Sequence, residues 1–139
     1  MIDWIESKGR GGHSLKTNYI TISIHKNGSG VLGKDVNAFV LRFSNEAQKD
    51  LRLIYGDRLI IGFDRVSKQV CFKRTSDAKG YKLTKNKNGS KAFGTLYVQM
   101  SIDALRVPPI AISKQDVITE STHIALNAID FFKKSLEAA

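Results

Sequence analysis

The alternation of apolar and polar residues is the feature that most constrains how this chain can fold. In YITISIH (19–25) three isoleucines face one side and Thr21, Ser23 and His25 face the other, which is the period of a half-buried strand. The pattern returns in AFVLRF (38–43), DRLIIGFD (57–64), QVCFKR (69–74) and TLYVQMSI (95–102). Turn-forming stretches such as KNGSG (26–30), RVSK (65–68) and TKNKNGSKAFG (84–94) separate these segments. We therefore predict an α+β fold, a β-rich single domain of antiparallel hairpins forming a small barrel or sheet.

Two segments have helical spacing instead. Ser44-Asn45 offers an N-cap with Gln48 close behind it, and Ala47 and Leu51 follow one helical face. This predicts a short internal helix of about three turns that ends near Gly56.

The second helical segment follows possible caps at 119–121 and runs through THIALNAIDFFKKSLEAA (122–139), where Ile124, Ala128, Phe132 and Leu136 share a face. We predict a C-terminal amphipathic helix, which either packs on the sheet of its own chain or is donated to a partner subunit.

The same features divide the chain into three regions. Residues 1–18 contain KGRGG and no periodicity, which predicts a flexible basic N-terminal arm. Residues 19–107 form the predicted β-rich core, with a return strand near Val31 and Leu32. Pro108-Pro109 should break any regular element, so 108–139 are predicted to be a connector, with at most one short extended piece at IAIS (110–113), and the C-terminal helix.

Positive charge is concentrated in one part of the sequence. The formal net charge is +9, and residues 65–100 hold nine basic residues against Asp77 alone, a difference of +8. Such a window attracts polyanions because neutralised phosphates release counterions. The nine residues are Arg65, Lys68, Lys73, Arg74, Lys79, Lys82, Lys85, Lys87 and Lys91.

The composition of this window predicts how it would bind. Lysines outnumber arginines, and a lysine reads phosphate as a point charge rather than base edges, which favours sequence-tolerant contact. Tyr81, Phe93 and Tyr97 lie among the lysines; they are either stacking platforms for single strands or members of the sheet core. We predict Tyr81 as a binding residue.

Common catalytic motifs are missing from the sequence. His13, His25 and His123 stand apart, Cys71 is the only cysteine, and no phosphate-cradling glycine loop occurs. We therefore expect no metal, no cofactor and no enzymatic activity. The nearest alternative is a magnesium-dependent nuclease using Asp57, Asp64 and Lys73, although Cys71 occupies the place of an expected acidic residue.

The sequence also carries an expectation about location. No stretch of about 18 uninterrupted apolar residues occurs, the N-terminus has no apolar signal region, and a lone cysteine suits a reducing compartment. We therefore expect a cytoplasmic protein that does not enter a membrane.

Residues 39–74, FVLRFSNEAQKDLRLIYGDRLIIGFDRVSKQVCFKR, resemble the swapped-hairpin unit of the AbrB, MazE and MraZ type of DNA-binding regulators. Leu51, Gly56-Asp57 and the strand from Leu59 lie where that pattern places them. Ser44 stands where the family commonly has proline, and Gln48-Lys49 stand in place of paired arginines. The resemblance implies a homodimer with interleaved hairpins and DNA contacts at Lys49 and Arg52, and less directly at Arg42.

Three functions follow from these patterns. The first is a small non-catalytic nucleic-acid-binding protein, a DNA-binding transcriptional regulator or accessory factor, with DNA favoured over RNA. The second is a protein-interaction module, such as a phage- or mobile-element-encoded inhibitor that docks on an acidic host protein through the C-terminal helix and the Trp4 tip. The nuclease is the third.

Overall fold

A computed structural model describes residues 18–26, 37–85 and 95–136. The described part is strand-rich with few helices, in agreement with the predicted class. Its elements are β1 (Ile20–Lys26), β2 (Asn37–Phe43), α1 (Asn45–Leu51), β3 (Arg58–Asp64), β4 (Gln69–Thr75), β5 (Tyr81–Lys82), β6 (Thr84–Lys85), β7 (Leu96–Ile102), β8 (Val107–Ile112), a 3-10 turn (Lys114–Asp116), β9 (Val117–Thr119), β10 (Ile124–Asn127), α2 (Ile129–Phe131) and a π-helical turn (Phe132–Leu136).

The described strands form two antiparallel five-stranded sheets. Sheet A has the order β6-β7-β2-β1-β8, and sheet B has the order β5-β3-β4-β10-β9. The chain passes from sheet B to sheet A at Leu83, between β5 and β6, and returns to sheet B between β8 and β9. The chain therefore connects β5, at one edge of sheet B, directly to β6, at one edge of sheet A. It likewise connects β8, at the other edge of sheet A, to β9, at the other edge of sheet B.

The apolar faces of the two sheets pack against each other. Phe39 on β2 meets Phe63 on β3 with ring centroids 5.5 Å apart, and Phe43 meets Phe72 on β4 at 5.3 Å. Both pairs have the edge-to-face geometry that aromatic rings prefer. The isoleucines of β1 are also buried in this core, which confirms the inward face that the alternation predicted.

Helix α1 covers one end of the two sheets. The Ser44 hydroxyl accepts a hydrogen bond from the backbone N–H of Ala47 at 3.1 Å, so Ser44 is the N-cap. The helix ends after seven residues, because Arg52 adopts a left-handed conformation with φ of 56°. The predicted three turns were therefore too long.

The predicted C-terminal helix was wrong over its first half. Ile124–Asn127 form strand β10, in which Ile124 pairs with Phe72 and Leu126 pairs with Val70. The apolar residues here fit a two-residue period as well as a helical one, and the edge of β4 offers backbone partners that favour the strand. Helical structure begins only at Ile129.

The helical turns at the C-terminal side cover the other end of the sheets. Phe131 and Phe132 are fully buried. The Phe131 ring lies 5.7 Å from Phe39 of sheet A and 6.2 Å from Phe63 of sheet B. Phe131 and Phe132, two of the apolar side chains that suggested a helix donated to a partner, are thus buried within their own chain.

Part of the connector predicted after residue 107 is a strand, since Val107–Ile112 form β8. Pro108 and Pro109 lie within β8, at the edge of sheet A, where the pairing register with β1 shifts between Ile22 and Ile24. Proline is tolerated there because an edge strand at an irregularity needs fewer backbone donors. Residues 1–17, the return strand near Val31 and Leu32, and the hairpin tip at 86–94 lie outside the described residues.

Candidate nucleic-acid interface

The predicted cationic residues fall in three separate places. Arg65 and Lys68 lie in the β3–β4 turn, Lys73 lies on β4, and most of the others lie near α1. β3 has seven residues, so its two ends are about 20 Å apart. Lys87 and Lys91 are outside the described residues. The fold therefore does not gather the described members of the basic window on one surface.

The β3–β4 turn is held by Asp64. Its Oδ1 accepts hydrogen bonds from the backbone N–H groups of Val66 and Ser67, both at 3.1 Å. Hydrogen bonds from Ser67, followed by that from Val66, lower the pKa of the Asp64 carboxyl. Asp64 is therefore a turn residue that presents Arg65 at the end of the sheets farthest from α1.

Lys73 lies beside a shallow concavity on the outer face of sheet B. This concavity of about 610 Å³ is also lined by Ile60, Gly62, Cys71 and His123. Burial, followed by the negative charges of Asp64 and Glu120, raises the pKa of the Cys71 thiol. A thiol of this kind is a poor nucleophile, and Cys71 is partly buried on β4.

The α1 end holds an aromatic ring that contacts two lysines. Tyr55, in the connection from α1 to β3, is 52% exposed. The Nζ atoms of Lys82 and Lys85 lie 5.4 and 5.1 Å from its ring centroid. The backbone between these lysines is fixed, since Leu83 N–H donates to the Asp57 carbonyl at 2.8 Å and its own carbonyl accepts from Gly56 at 3.1 Å.

Two arginines extend this positive area towards the end of α1. Arg74 donates from Nη2 to the Leu51 carbonyl at 3.2 Å, and its Nη1 lies 3.9 Å from Asp57 Oδ2. Arg52 is exposed at the helix C-cap. We call the five residues Arg52, Tyr55, Arg74, Lys82 and Lys85 the Tyr55 surface.

The acidic residues of α1 are paired with groups outside this surface. Lys114 Nζ lies 3.1 Å from Asp50 Oδ2 and 3.6 Å from Glu46 Oε2. The Tyr19 hydroxyl donates to Asp50 at 2.9 Å, and the Asp50 pKa is lowered first by this bond and then by the bond from Lys114. These contacts offset negative charge near Lys49, which is exposed on the same helix.

The remaining predicted residues have different surroundings. Lys79 is exposed in the β4–β5 loop, and Tyr81 is 40% exposed on β5. Tyr97 lies on the outer face of sheet A, 5.6 Å beneath the Arg42 guanidinium. Phe93 is outside the described residues. Tyr55 was not among the predicted residues, because the helix was expected to continue to near Gly56, whereas α1 ends at Leu51 and leaves Ile54 and Tyr55 exposed in the following turn.

The two carboxylates of the nuclease hypothesis lie at opposite ends of β3. Asp57 Oδ2 accepts from the backbone N–H of Ile54 at 3.1 Å, while Asp64 holds the β3–β4 turn. About 20 Å of strand separates them, so they cannot share one magnesium ion within this chain. Within residues 18–26, 37–85 and 95–136, no cluster of three or more His, Cys, Asp or Glu side chains is arranged to hold a metal.

Comparison with known proteins finds no matching family model, curated protein or solved structure. In the part of the chain that the structure describes, no helix is long and apolar enough to cross a membrane.

Proposed function

We propose that this protein is a non-catalytic nucleic-acid-binding protein, a DNA-binding regulator or accessory factor, and that the Tyr55 surface holds single-stranded DNA. The observation that carries the proposal is the half-exposed Tyr55 ring with two lysine ammonium groups within 5.4 Å of its centroid. Single-strand-binding surfaces combine an aromatic ring for base stacking with cations that follow the backbone.

The relative strengths of the interactions allow a base to reach the ring. An exposed lysine–aromatic contact contributes about 0.5–1 kcal/mol, whereas stacking of a base on an aromatic side chain contributes about 1–3 kcal/mol. A base can therefore replace a lysine at the face of Tyr55. The displaced ammonium group remains close enough to bind the adjoining phosphate.

The type of contact predicts little sequence preference. Lys82 and Lys85 are point charges, and the Arg74 guanidinium already donates to the Leu51 carbonyl, which reduces its capacity to read base edges in a bidentate way. Stacking on Tyr55 accepts any base. The protein should consequently bind strands of different sequence with similar affinity.

The resemblance to the AbrB, MazE and MraZ type of regulators agrees with this proposal at Arg52, which is both an implied DNA contact and a member of the Tyr55 surface. A homodimer, implied by the same resemblance, is part of the proposal. In one chain the β3–β4 hairpin pairs with β5 and β10 of that chain, so the dimer would use other surfaces or exchange these strands. The molar mass in solution, with and without DNA, distinguishes monomer from dimer.

Fluorescence anisotropy tests the proposal with a labelled oligothymidylate of about 20 nucleotides and a duplex of the same length. We expect the single strand to bind more tightly than the duplex. Tyr55→Ala should weaken binding by about 5- to 100-fold, the equivalent of one lost base stack. Tyr55→Phe keeps the ring and should retain most of the affinity.

A pair of charge variants supplies the control. Lys85→Gln removes one positive charge from the Tyr55 surface, and Arg65→Gln removes one from the distant β3–β4 turn. We expect a loss of affinity only for Lys85→Gln. Equal losses in both variants would show binding to net charge rather than to this surface, and the absence of binding to either DNA at low salt would refute the proposal.

A further inference from the structure

A second concave site lies on the outer face of sheet A, between β1, β2 and β8. It encloses about 550 Å³, within the range typical of small-molecule sites. Its floor contains Ser23 and Val40, which pair across β1 and β2 and are only 7% and 3% exposed. Pro108 and Pro109 of β8 form one of its sides. The site therefore combines a sheltered, mostly apolar floor with a rigid apolar wall.

The described charged residues that line this site are basic. Arg42 and Arg106 line it together with His25 and Lys26, and the described lining residues include no carboxylate. Two arginines in a partly enclosed space attract anions. In this respect the site differs from the concavity on sheet B, where Asp64 lies beside the cations.

Arg42 has unused hydrogen-bonding capacity. Its Nε atom is buried and has no hydrogen-bond partner, and its guanidinium lies over the Tyr97 ring rather than beside an acceptor. Burial lowers the pKa of Arg42, an effect that the nearby Tyr97 partly opposes. Burying a charged donor without an acceptor is unfavourable. An anion at the accessible part of the half-buried Arg42 side chain would offset its positive charge without reaching Nε itself.

We propose that this site binds a small organic phosphate, with the phosphate at Arg42 and Arg106 and the apolar body against Val40 and the two prolines. A phosphomonoester carries close to two negative charges and matches the two arginines better than a single carboxylate does. The guanidinium fork also suits phosphate oxygens in particular. Neither DNA binding nor the Tyr55 surface is needed for this inference.

Isothermal titration calorimetry with AMP, and with adenosine as the uncharged comparison, tests the inference. In calorimetry we expect AMP to bind at one site per chain. In NMR spectra AMP should shift the amide resonances of Ser23 and Val40, and adenosine should neither bind nor shift these resonances. Arg106 is exposed, so Arg106→Gln should leave the fold intact and weaken AMP binding about tenfold or more, the effect of a lost charge-assisted hydrogen bond. Arg42→Met, which keeps an unbranched stem over Tyr97, should weaken it at least as much.

Two control variants make the test specific. Arg65→Gln removes the same charge at a distant turn, and Tyr55→Ala removes the proposed DNA platform; both should bind AMP as the parent protein does. Similar weakening in Arg65→Gln and Arg106→Gln would overturn the inference, since attraction to net charge would then explain the binding. Weakening by Tyr55→Ala, adenosine binding as tight as that of AMP, or no AMP binding by the parent protein would overturn it as well.

Discussion

Replacing Phe131 by alanine tests whether the C-terminal turns hold the two sheets together. The Phe131 side chain is fully buried between Phe39 of sheet A and Phe63 of sheet B, and it also meets Phe132 edge-to-face at 5.8 Å. Truncation of a buried phenylalanine costs about 3–5 kcal/mol. Three ring contacts place Phe131 in the upper half of this range, so we expect a loss of about 4–5 kcal/mol in the free energy of unfolding.

Urea denaturation followed by circular dichroism measures this loss, with Ile129→Ala as the matched control. Ile129 belongs to the same helical turn but is 54% exposed, so its truncation should cost less than about 1 kcal/mol. The slope of unfolding free energy against urea should stay the same in both variants if only the folded state changes. Equal, small losses in the two variants would refute the conclusion that these turns close the core.

Three further predictions concern α1 and its surroundings. Ser44→Ala removes the N-cap bond to Ala47 and should lower the free energy of unfolding by about 1 kcal/mol, measured in urea against exposed Asn45→Ala as the control. Arg52 has a left-handed φ of 56°, and Arg52→Gly removes the strain of this conformation. The variant should have a free energy of unfolding higher by up to about 1 kcal/mol and should bind DNA more weakly. Arg52→Ala should also weaken DNA binding but should not raise the free energy of unfolding. Burial, followed by the hydrogen bond to Asp50, raises the pKa of Tyr19 to about 12. In the unfolded chain the phenol ionises near about pH 10. The protonated phenol should therefore contribute its full stability below about pH 10, and this stability should be lost as the pH rises towards about 12. Urea midpoints across this range should fall less for Tyr19→Phe than for the parent protein, and identical falls would contradict the assignment.

The sequence predicted strands correctly where only a two-residue period of apolar residues fitted the segment. The strands β1 to β4 and β7 were predicted because apolar residues recur at every second position, as the buried Ile20, Ile22 and Ile24 do on β1. At Ile124–Asn127 the helical and strand periods both fit the residues, and the outcome depended on a long-range partner, β4. Local patterns do not contain that information. The prolines of β8 show the same limitation, since their tolerance depends on an edge position that only the sheet order reveals.

The candidate sites were less predictable because they join residues that are distant in sequence. Tyr55 meets Lys82 and Lys85 only because Leu83 pairs with Gly56 and Asp57 where the chain changes sheets. The pocket on sheet A is similarly lined by Arg42 from β2 and Arg106 from the loop before β8. Composition indicated that cations are abundant, but their grouping was decided by the strand order.

The separation of the basic residues into different surfaces changes the expected salt dependence of DNA binding. For single strands the logarithm of the binding constant falls with the logarithm of salt concentration with a slope of about 0.7 per neutralised phosphate. If the nine cations of residues 65–100 contacted one strand, the slope would be about 6; the four cations of the Tyr55 surface give a slope of about 3. Between about 50 and 200 mM salt, these slopes correspond to losses of about 4,000-fold and about 60-fold, respectively. A measured slope near 3 that decreases in Lys85→Gln and not in Arg65→Gln would agree with a divided distribution of charge, whereas a slope near 6 would require the two ends of β3 to bind the same strand.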